Sequence, residues 1–250
     1  MRNNPKLYQF INTFLQINED YVWVINRGSN FVFQKVTGLF ISKHTTSFSK
    51  NFFFKWGDSA HAIESIKNEV ALYNELNNNS LVPKLLEYKI TEYEAYYTTE
   101  IIQGSKYTAL EFNKDVLGLI NQIESLKPQQ VKKYSLSDNL ITSFCHGDFC
   151  PWNLIIESGT NTIKAVDWEF CGIYPKGFDL LYYIFSVEFI IRKSSTSDEI
   201  IKNKYSIINN YYNPAGITDW KPYLKEFADI CFKREGKTSL GENFYKLLIS

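Results

Sequence analysis

The sequence HGDFCPWN at residues 146–153 decides the fold, together with DWE at residues 167–169. Asp148 and Asn153 stand five positions apart, and Asp167 follows fourteen positions after Asn153. Between them, apolar segments on both sides of a Ser-Gly pair are typical of a short β-hairpin. The pattern therefore places two carboxylates and one amide around a single hairpin.

These side chains suit phosphoryl transfer. That reaction needs a carboxylate that accepts the proton of the attacking hydroxyl, oxygen ligands for magnesium, and a cation on the nucleotide phosphates. Asp148 and Asn153 have the spacing of the base and the metal-binding Asn in the catalytic loop of protein kinases. Asp167 follows a hydrophobic strand, as their second metal-binding residue does.

The sequence resembles the aminoglycoside phosphotransferase and choline kinase-like family over nearly the whole chain. In that family the catalytic loop has the pattern His-Gly-Asp-x-x-x-x-Asn, and the metal-binding segment is Asp followed by Trp or Phe and often Glu. The resemblance implies Asp148 as the catalytic base and His146 as the residue that braces the loop. It also implies Asn153 and Asp167 as Mg²⁺ ligands, and Asp179 as the aspartate that stabilises the loop from below.

The N-terminal part of the sequence predicts a sheet and one helix. Residues 59–76 have apolar side chains three or four positions apart, which indicates a helix, and residues 7–17 have a similar period. Segments rich in β-branched and aromatic residues predict five strands, at 21–25, 31–41, 51–55, 85–90 and 95–102.

The remainder of the chain has mainly helical patterns, the first of which opens with a capping-box sequence at 108–111. We therefore expect an α+β protein with the bilobal protein-kinase-like fold that the resemblance implies. Its N-terminal lobe has a five-stranded antiparallel sheet with one packed helix, and its C-terminal lobe is mostly helical. The predicted boundaries are 1–103 for a nucleotide-binding lobe and 104–250 for a catalytic and substrate-binding lobe.

Lys55 and Glu69 are candidates for the ion pair that positions a lysine on the α- and β-phosphates of a nucleotide. Lys55 lies at the end of a predicted strand and Glu69 in the middle of the next helix. Glu64 is the alternative partner, five residues earlier. The cofactors implied are ATP, with GTP as the alternative nucleotide, and Mg²⁺.

Two further segments are candidates for nucleotide contacts. Gly28, Ser29 and Asn30 form the candidate phosphate-binding loop, although this loop has one glycine where kinases have several, and an ordinary hairpin turn is the alternative. The segment 99–104 resembles the hinge between lobes. There the carbonyl of Glu100 and the amide of Ile102 would meet the adenine edge.

Charge and hydropathy exclude several classes of protein. Lys and Arg total 27 and Asp and Glu total 27, so no net field attracts nucleic acid. The apolar stretch 180–191 is too short and too polar to cross a bilayer. The N-terminus lacks a secretory pattern, and the four cysteines lack the spacing of a disulfide scaffold. We therefore expect a cytoplasmic protein with buried, reduced cysteines.

The expected acceptor is a small hydroxyl compound, namely a sugar, an amino sugar or an amino alcohol such as choline. Residues 151–250 contain as many acidic as basic residues, so no acidic surface for a polycationic aminoglycoside is predicted. An aromatic cage for choline would draw on Trp152, Trp168, Tyr211, Tyr212 and Trp220.

Two alternative functions differ in class. An inactive nucleotide-binding pseudokinase or scaffold usually lacks one of the catalytic residues, which are intact here. A protein kinase is disfavoured because Gly147 and Cys150 stand where protein kinases usually have Arg and Lys, and because no Ala-Pro-Glu segment follows Asp167.

Overall fold

The structure is a computed structural model that describes residues 9–11, 21–27, 35–43, 51–134, 139–193 and 196–249. The chain divides into two compact units, Met1–Gln103 and Gly104–Ser250. Each unit has its own sheet and its own buried core. No helix among the described residues is long and apolar enough to cross a membrane.

A five-stranded antiparallel sheet forms the first unit, with the strand order β1-β2-β3-β5-β4. Each strand overlaps one of the five segments that β-branched and aromatic composition predicted. The observed strands are β1 (Tyr21–Arg27), β2 (Lys35–Ser42), β3 (Phe52–Gly57), β4 (Leu85–Ile90) and β5 (Ala95–Glu100). On one face, Phe40, Phe54 and Trp56 are buried together with Phe10. The aromatic richness of the sequence is thus used to build this core.

One helix, α1 (Ala60–Glu75), follows β3 in the chain. It begins where the side chain of Ser59 accepts a hydrogen bond from the backbone N–H of Ala62 at 3.2 Å. Its apolar side chains recur at helical spacing, and Ile66 and Val70 are buried. The helix predicted at 59–76 is therefore confirmed.

The second unit has two small sheets and five helices among its described residues. One sheet has the order β10-β9-β6 and the other β7-β11-β8. The strands are β6 (Gly104–Lys106), β7 (Lys132–Lys133), β8 (Thr142–Cys145), β9 (Leu154–Glu157), β10 (Ile163–Ala165) and β11 (Gly172–Pro175). The helices are α2 (Lys114–Ser125), α3 (Phe178–Ser186), α4 (Ser197–Tyr212), α5 (Lys221–Glu235) and α6 (Ser239–Ile249). A π-helical segment, Val187–Arg192, continues α3.

One predicted helix start is wrong. The capping-box sequence at 108–111 does not open a helix; α2 begins at Lys114 instead, because the side chain of Asn113 accepts hydrogen bonds from the N–H groups of Asp115 and Val116. The chain before the capping-box sequence is extended as β6, which pairs with β9. The helix predicted at 7–17 lies mostly outside the described residues, although 9–11 are helical.

The observed architecture confirms the expected α+β class, with its N-terminal five-stranded sheet, one following helix and mostly helical C-terminal unit. The cysteines were also predicted correctly, because all four are free and buried.

Candidate active site

The loop at residues 146–153 connects β8 to β9 in the second unit and brings Asp148 and Asn153 together. The side-chain amide nitrogen of Asn153 donates to Asp148 Oδ2 at 2.9 Å and to the Asp148 carbonyl at 3.0 Å. Pro151 opens the single 3₁₀ turn Pro151–Asn153 that makes this approach. A proline fits there because the first N–H groups of a helix have no partner in the helix. The Asp148 side chain keeps 22% of its surface exposed, so it is both fixed and accessible.

A β-hairpin places Asp167 beside Asn153. In the antiparallel pair β9 and β10, Leu154 lies opposite Ala165, and the N–H of Val166 donates to the Asn153 carbonyl at 2.9 Å. Asp167 then has φ +67°, in the left-handed region. Residues in such conformations are concentrated at functional sites, where the surrounding structure holds them. The strand pairing therefore fixes the two candidate metal ligands as neighbours.

His146 is fully buried beneath the loop. Its Nε2 lies 3.0 Å from the Val166 carbonyl, and the N–H of Asp148 donates to its Nδ1 at 3.3 Å. With Nδ1 accepting, Nε2 bears the proton, so the ring bonds as the neutral form. The ring also packs against Trp168, with 4.6 Å between ring centroids. These contacts tie the loop to the Asp167 segment.

Asp179, in the first turn of α3, holds the loop from the inside of the core. Its carboxylate accepts the N–H of His146 at 2.7 Å and that of Gly147 at 2.9 Å. Burial raises the pKa of Asp179 to about 7. The hydrogen bonds from the two backbone N–H groups favour the charged form and therefore lower the pKa, but burial has the larger effect. Asp179 is therefore a structural anchor of the loop.

Gly147 has φ +83°, and a Cβ built on it would lie 2.1 Å from the carbonyl oxygen of Phe170. Both the backbone angle and the contact exclude a side chain at this position. The loop thus requires glycine where protein kinases have arginine.

Arg234 is a member of the site that no sequence motif marks. It lies at the end of α5, and its Nη1 donates to the Gly147 carbonyl at 2.7 Å. Its Nη2 lies 3.7 Å from Asp148 Oδ1. The guanidinium stands over the rings of Phe170 and Tyr182, at 4.6 and 4.7 Å from their centroids. The only sequence signal was a basic residue in the last turn of a helix, which is commonly solvent-exposed.

The first unit contains the predicted lysine–glutamate pair. Lys55 Nζ lies 2.8 Å from Glu69 Oε2, and both residues are buried. Glu69 Oε1 accepts further hydrogen bonds from the hydroxyls of Tyr97 at 3.1 Å and Tyr73 at 3.4 Å. The alternative, Glu64, is an exposed residue that lies 3.9 Å from Lys67. Lys55 lies inside β3 rather than at its end. Its ion-pair partner is Glu69.

The remaining residues are those predicted to contact the phosphates or the adenine of the nucleotide. Gly28, Ser29 and Asn30 lie outside the described residues. Glu100 is the last residue of β5, and its N–H donates to the Lys84 carbonyl at 3.0 Å. Ile102 is partly buried in the segment between β5 and β6. Their contact with adenine stays a prediction.

The aromatic residues considered for choline have structural roles instead. Four of the five are buried, and only Trp152 is exposed, at 41%. The Tyr211 hydroxyl donates to the buried Glu124, and the Trp168 indole donates to the Ala165 carbonyl at 3.0 Å. These rings are core residues, so together they do not form a cage.

A cavity of about 260 Å³ opens among α4, the π-helical segment and the residue after it. Its charges are of both signs and pair with one another: Glu188 contacts Arg192 at 2.7 Å and Lys204 at 3.4 Å. The lining is Glu188, Arg192, Lys193, Glu199, Ile200, Asn203 and Lys204. A polycation would find no excess of negative charge in this lining.

Residues 106–194, which contain the loop, the Asp167 segment and Asp179, match the model of the phosphotransferase enzyme family. No curated protein sequence matches the chain.

Solved structures share the fold along almost the whole chain. Aminoglycoside phosphotransferase APH(4)-Ia has 10% identity, a TM-score of 0.62 and 97% coverage of each chain. Aminoglycoside-3'-phosphotransferase of type VIII has 15% identity and a TM-score of 0.53, with 98% of this chain and 99% of that chain covered. Amicoumacin kinase hAmiN, in complex with AMP-PNP, Ca²⁺ and Ami, has 11% identity and a TM-score of 0.54, with 92% and 86% covered.

The resemblance inferred from the loop is therefore confirmed. The segment 106–194 has the sequence pattern of the phosphotransferase enzyme family, and the chain has the fold of aminoglycoside phosphotransferases. The match over residues 106–194 indicates a phosphotransferase.

Proposed function

We propose that this protein transfers the terminal phosphoryl group of ATP, or alternatively of GTP, to a hydroxyl group of a sugar, an amino sugar or an amino alcohol. Magnesium is the proposed metal. The observation that supports this most directly is the Asp148–Asn153 contact. In this contact the Asn153 amide fixes one oxygen of the Asp148 carboxylate, which stays partly exposed. The loop itself is anchored to the core by Asp179.

Asp148 acts as the base in this proposal. Its carboxylate accepts a hydrogen bond from the acceptor hydroxyl and directs an oxygen lone pair at the phosphorus. As the new O–P bond forms and the bond to the nucleotide breaks, the hydroxyl proton passes to Asp148. Because His146 and Asn153 hold the loop on both sides, the carboxylate needs little reorganisation before the reaction.

Asn153 and Asp167 fit a magnesium site by the chemistry of their donors. An amide oxygen and a carboxylate are the hard oxygen ligands that Mg²⁺ prefers, and one or two protein ligands with water and phosphate oxygens are typical for it. The amide nitrogen of Asn153 is directed at Asp148, which turns its amide oxygen away from that residue. When bound, the ion would neutralise charge on the transferring phosphate.

Lys55 is the proposed contact to the nucleotide phosphates. A lysine with a buried side chain keeps its charge when a carboxylate is paired with it, and Glu69 is held in place for this by two tyrosine hydroxyls. A solved structure of an APH(4)-Ia variant contains ADP and hygromycin B. Its shared fold makes a nucleotide the natural donor to test here.

The test is a phosphate-transfer screen with purified protein, ATP or GTP, and Mg²⁺. The acceptors are choline, ethanolamine, monosaccharides, amino sugars, ketoamines and aminoglycosides. We expect ADP release to depend on one acceptor class, and the melting temperature to rise with nucleotide and magnesium. A rise without transfer to any acceptor would favour a nucleotide-binding scaffold, and the absence of both effects would refute the proposed function.

A further inference from the structure

The side chain of Arg234 is placed in a site that fits a planar cation. Only 11% of its surface is exposed, and it stands over the rings of Phe170 and Tyr182 at similar distances. Aromatic faces attract a guanidinium and fix its plane, most strongly where water is excluded. The position of the charge is therefore set by packing, without the freedom of a surface arginine.

Two nitrogen atoms of this guanidinium, Nη1 and Nη2, lie beside the loop, while Nε donates to Glu235 Oε1 at 3.2 Å. Nη1 donates to the Gly147 carbonyl at 2.7 Å, so it holds the peptide that precedes Asp148. Nη2 is buried and has no hydrogen-bond partner among the residues that the structure describes, and it lies 3.7 Å from Asp148 Oδ1. That separation is within ion-pair range and just beyond a hydrogen bond. A buried donor without a partner costs about 1–3 kcal/mol, so a small shift of the carboxylate toward Nη2 is favourable.

A loop arginine is excluded by the backbone at Gly147. Protein kinases have arginine at this position of the loop. Here the left-handed φ and the Phe170 carbonyl leave no room for a side chain. The cation beside the base comes instead from α5, 87 residues later in the chain.

We propose that Arg234 is the positioning residue of Asp148. It fixes the Gly147 peptide, and its charge orients the carboxylate toward the acceptor hydroxyl. Nη2 completes its hydrogen bond to Oδ1 when nucleotide and Mg²⁺ are bound. This inference rests on the proposed function, because it gives Arg234 a role only through Asp148 as the base.

The test uses the variants Arg234→Lys and Arg234→Ala, with Lys233→Ala as the matched control. Lys233 is on the same helical turn, exposed, and paired with Asp229. The reaction measured is phosphate transfer to the acceptor found in the screen, or ATP hydrolysis by water if none is found. We expect kcat to fall about 10- to 100-fold in both Arg234 variants, since misplacing a catalytic group has costs of this order. The KM for ATP should stay within about twofold, because Lys55 is the proposed phosphate contact.

Chemical rescue separates positioning from general damage to the fold. Arg234→Ala leaves a gap between two aromatic rings that fits guanidinium, so added guanidinium chloride at millimolar concentration should restore part of kcat. Sodium chloride at the same concentration should not restore it. A folded Arg234→Ala variant with wild-type kcat, or a loss that guanidinium does not change, overturns the inference.

A second measurement does not depend on the variants folding. In a crystal structure of the wild-type protein with AMP-PNP and Mg²⁺, we expect Nη2 within about 3.2 Å of an Asp148 carboxylate oxygen. An Arg234 side chain turned away from Asp148 overturns the inference. If the wild-type protein neither binds nor turns over nucleotide, the proposed function itself fails, which is a different result from wild-type activity in the Arg234 variants.

Discussion

The buried carboxylate of Asp179 lies directly under Gly147 and accepts its backbone N–H at 2.9 Å. A second N–H, from His146, reaches the other carboxylate oxygen at 2.7 Å. The loop that presents Asp148 is thus anchored on a carboxylate that is surrounded by core.

This anchor makes stability depend on pH. Burial raises the pKa of Asp179 from 3.8 to about 7 in the folded protein. A raised pKa means that the folded state holds the proton more tightly than the unfolded state. The stability it contributes is therefore complete below pH 3.8 and is lost as pH rises through about 7. Relative to Asp179→Asn, the wild-type free energy of unfolding should fall by about 1.4 kcal/mol per pH unit inside this window.

Urea unfolding of both proteins at several pH values between these limits measures the difference. Titrations common to the two proteins cancel, so the fall reports residue 179. Asp229→Asn is the control, since Asp229 pairs with exposed Lys233 on the outside of α5, and its effect should stay within about 0.5 kcal/mol throughout. A wild-type advantage that grows with pH would contradict the assignment of burial as the dominant cause.

Asp148→Asn should lower turnover by about 100-fold or more, because the amide cannot accept the hydroxyl proton. It should keep the stabilisation by AMP-PNP and Mg²⁺, since the proposed phosphate contact is Lys55. The measurements are ADP release and the nucleotide-induced rise in melting temperature. Asp115→Asn, at the exposed start of α2, is the control. Unchanged turnover in Asp148→Asn would refute its role as the base.

Lys55→Met should destabilise the protein by about 3–5 kcal/mol, because it leaves the buried Glu69 without its cation. The double variant Lys55→Met/Glu69→Gln should recover part of this loss, since no unpaired charge remains. Neither variant should be stabilised by AMP-PNP and Mg²⁺, if Lys55 contacts the phosphates.

Urea unfolding and thermal shifts with AMP-PNP check both statements. The control Lys67→Met removes an exposed lysine of α1, the helix that contains Glu69; Lys67 lies 3.9 Å from Glu64. This control should lower the free energy of unfolding by at most about 0.5 kcal/mol. AMP-PNP should still raise its melting temperature. If AMP-PNP raises the melting temperature of the double variant, Lys55 is not a contact of the nucleotide phosphates.

Local patterns in the sequence predicted most of the fold and the polar residues of the loop. Segments rich in β-branched and aromatic residues gave the strands of the sheet, the helical period gave α1, and the spacing of Asp148 and Asn153 gave the loop. The start of α2 was missed because the capping-box sequence at 108–111 competed with Asn113, whose side chain caps the helix instead. Local propensity near a helix start is a weak signal.

Arg234 was not predictable for a different physical reason. Its partners are Gly147 and Asp148, far away in the chain, and a basic residue near the end of a helix is usually a surface residue that favours the helix dipole. Only the packing of α5 against Phe170 and Tyr182 gives it a role in the loop. Contacts of this kind leave no local spacing in the sequence.

Gly147→Ala should damage the site more than its backbone angle alone explains. A side chain at φ +83° is strained by about 1 kcal/mol, and the added Cβ would also meet the Phe170 carbonyl at 2.1 Å. Gly159 offers a matched control, since it has φ +90° in the hairpin turn after β9 and no described residue within 4 Å of an added Cβ. The difference in unfolding free energy between Gly147→Ala and Gly159→Ala therefore isolates the contacts with Phe170 and with the Tyr174 hydroxyl, which would lie 2.8 Å away.

We expect this difference to exceed about 1 kcal/mol, since a backbone carbonyl cannot move aside as a flexible side chain can. Gly147→Ala should also lose most of its turnover, because relieving the contact displaces the peptide that joins Asp179, Arg234 and Asp148. Gly159→Ala should keep wild-type turnover. Equal costs in the two variants would show that the loop relaxes around the new methyl group, and the close packing of Gly147 on Phe170 would then not be what requires glycine there.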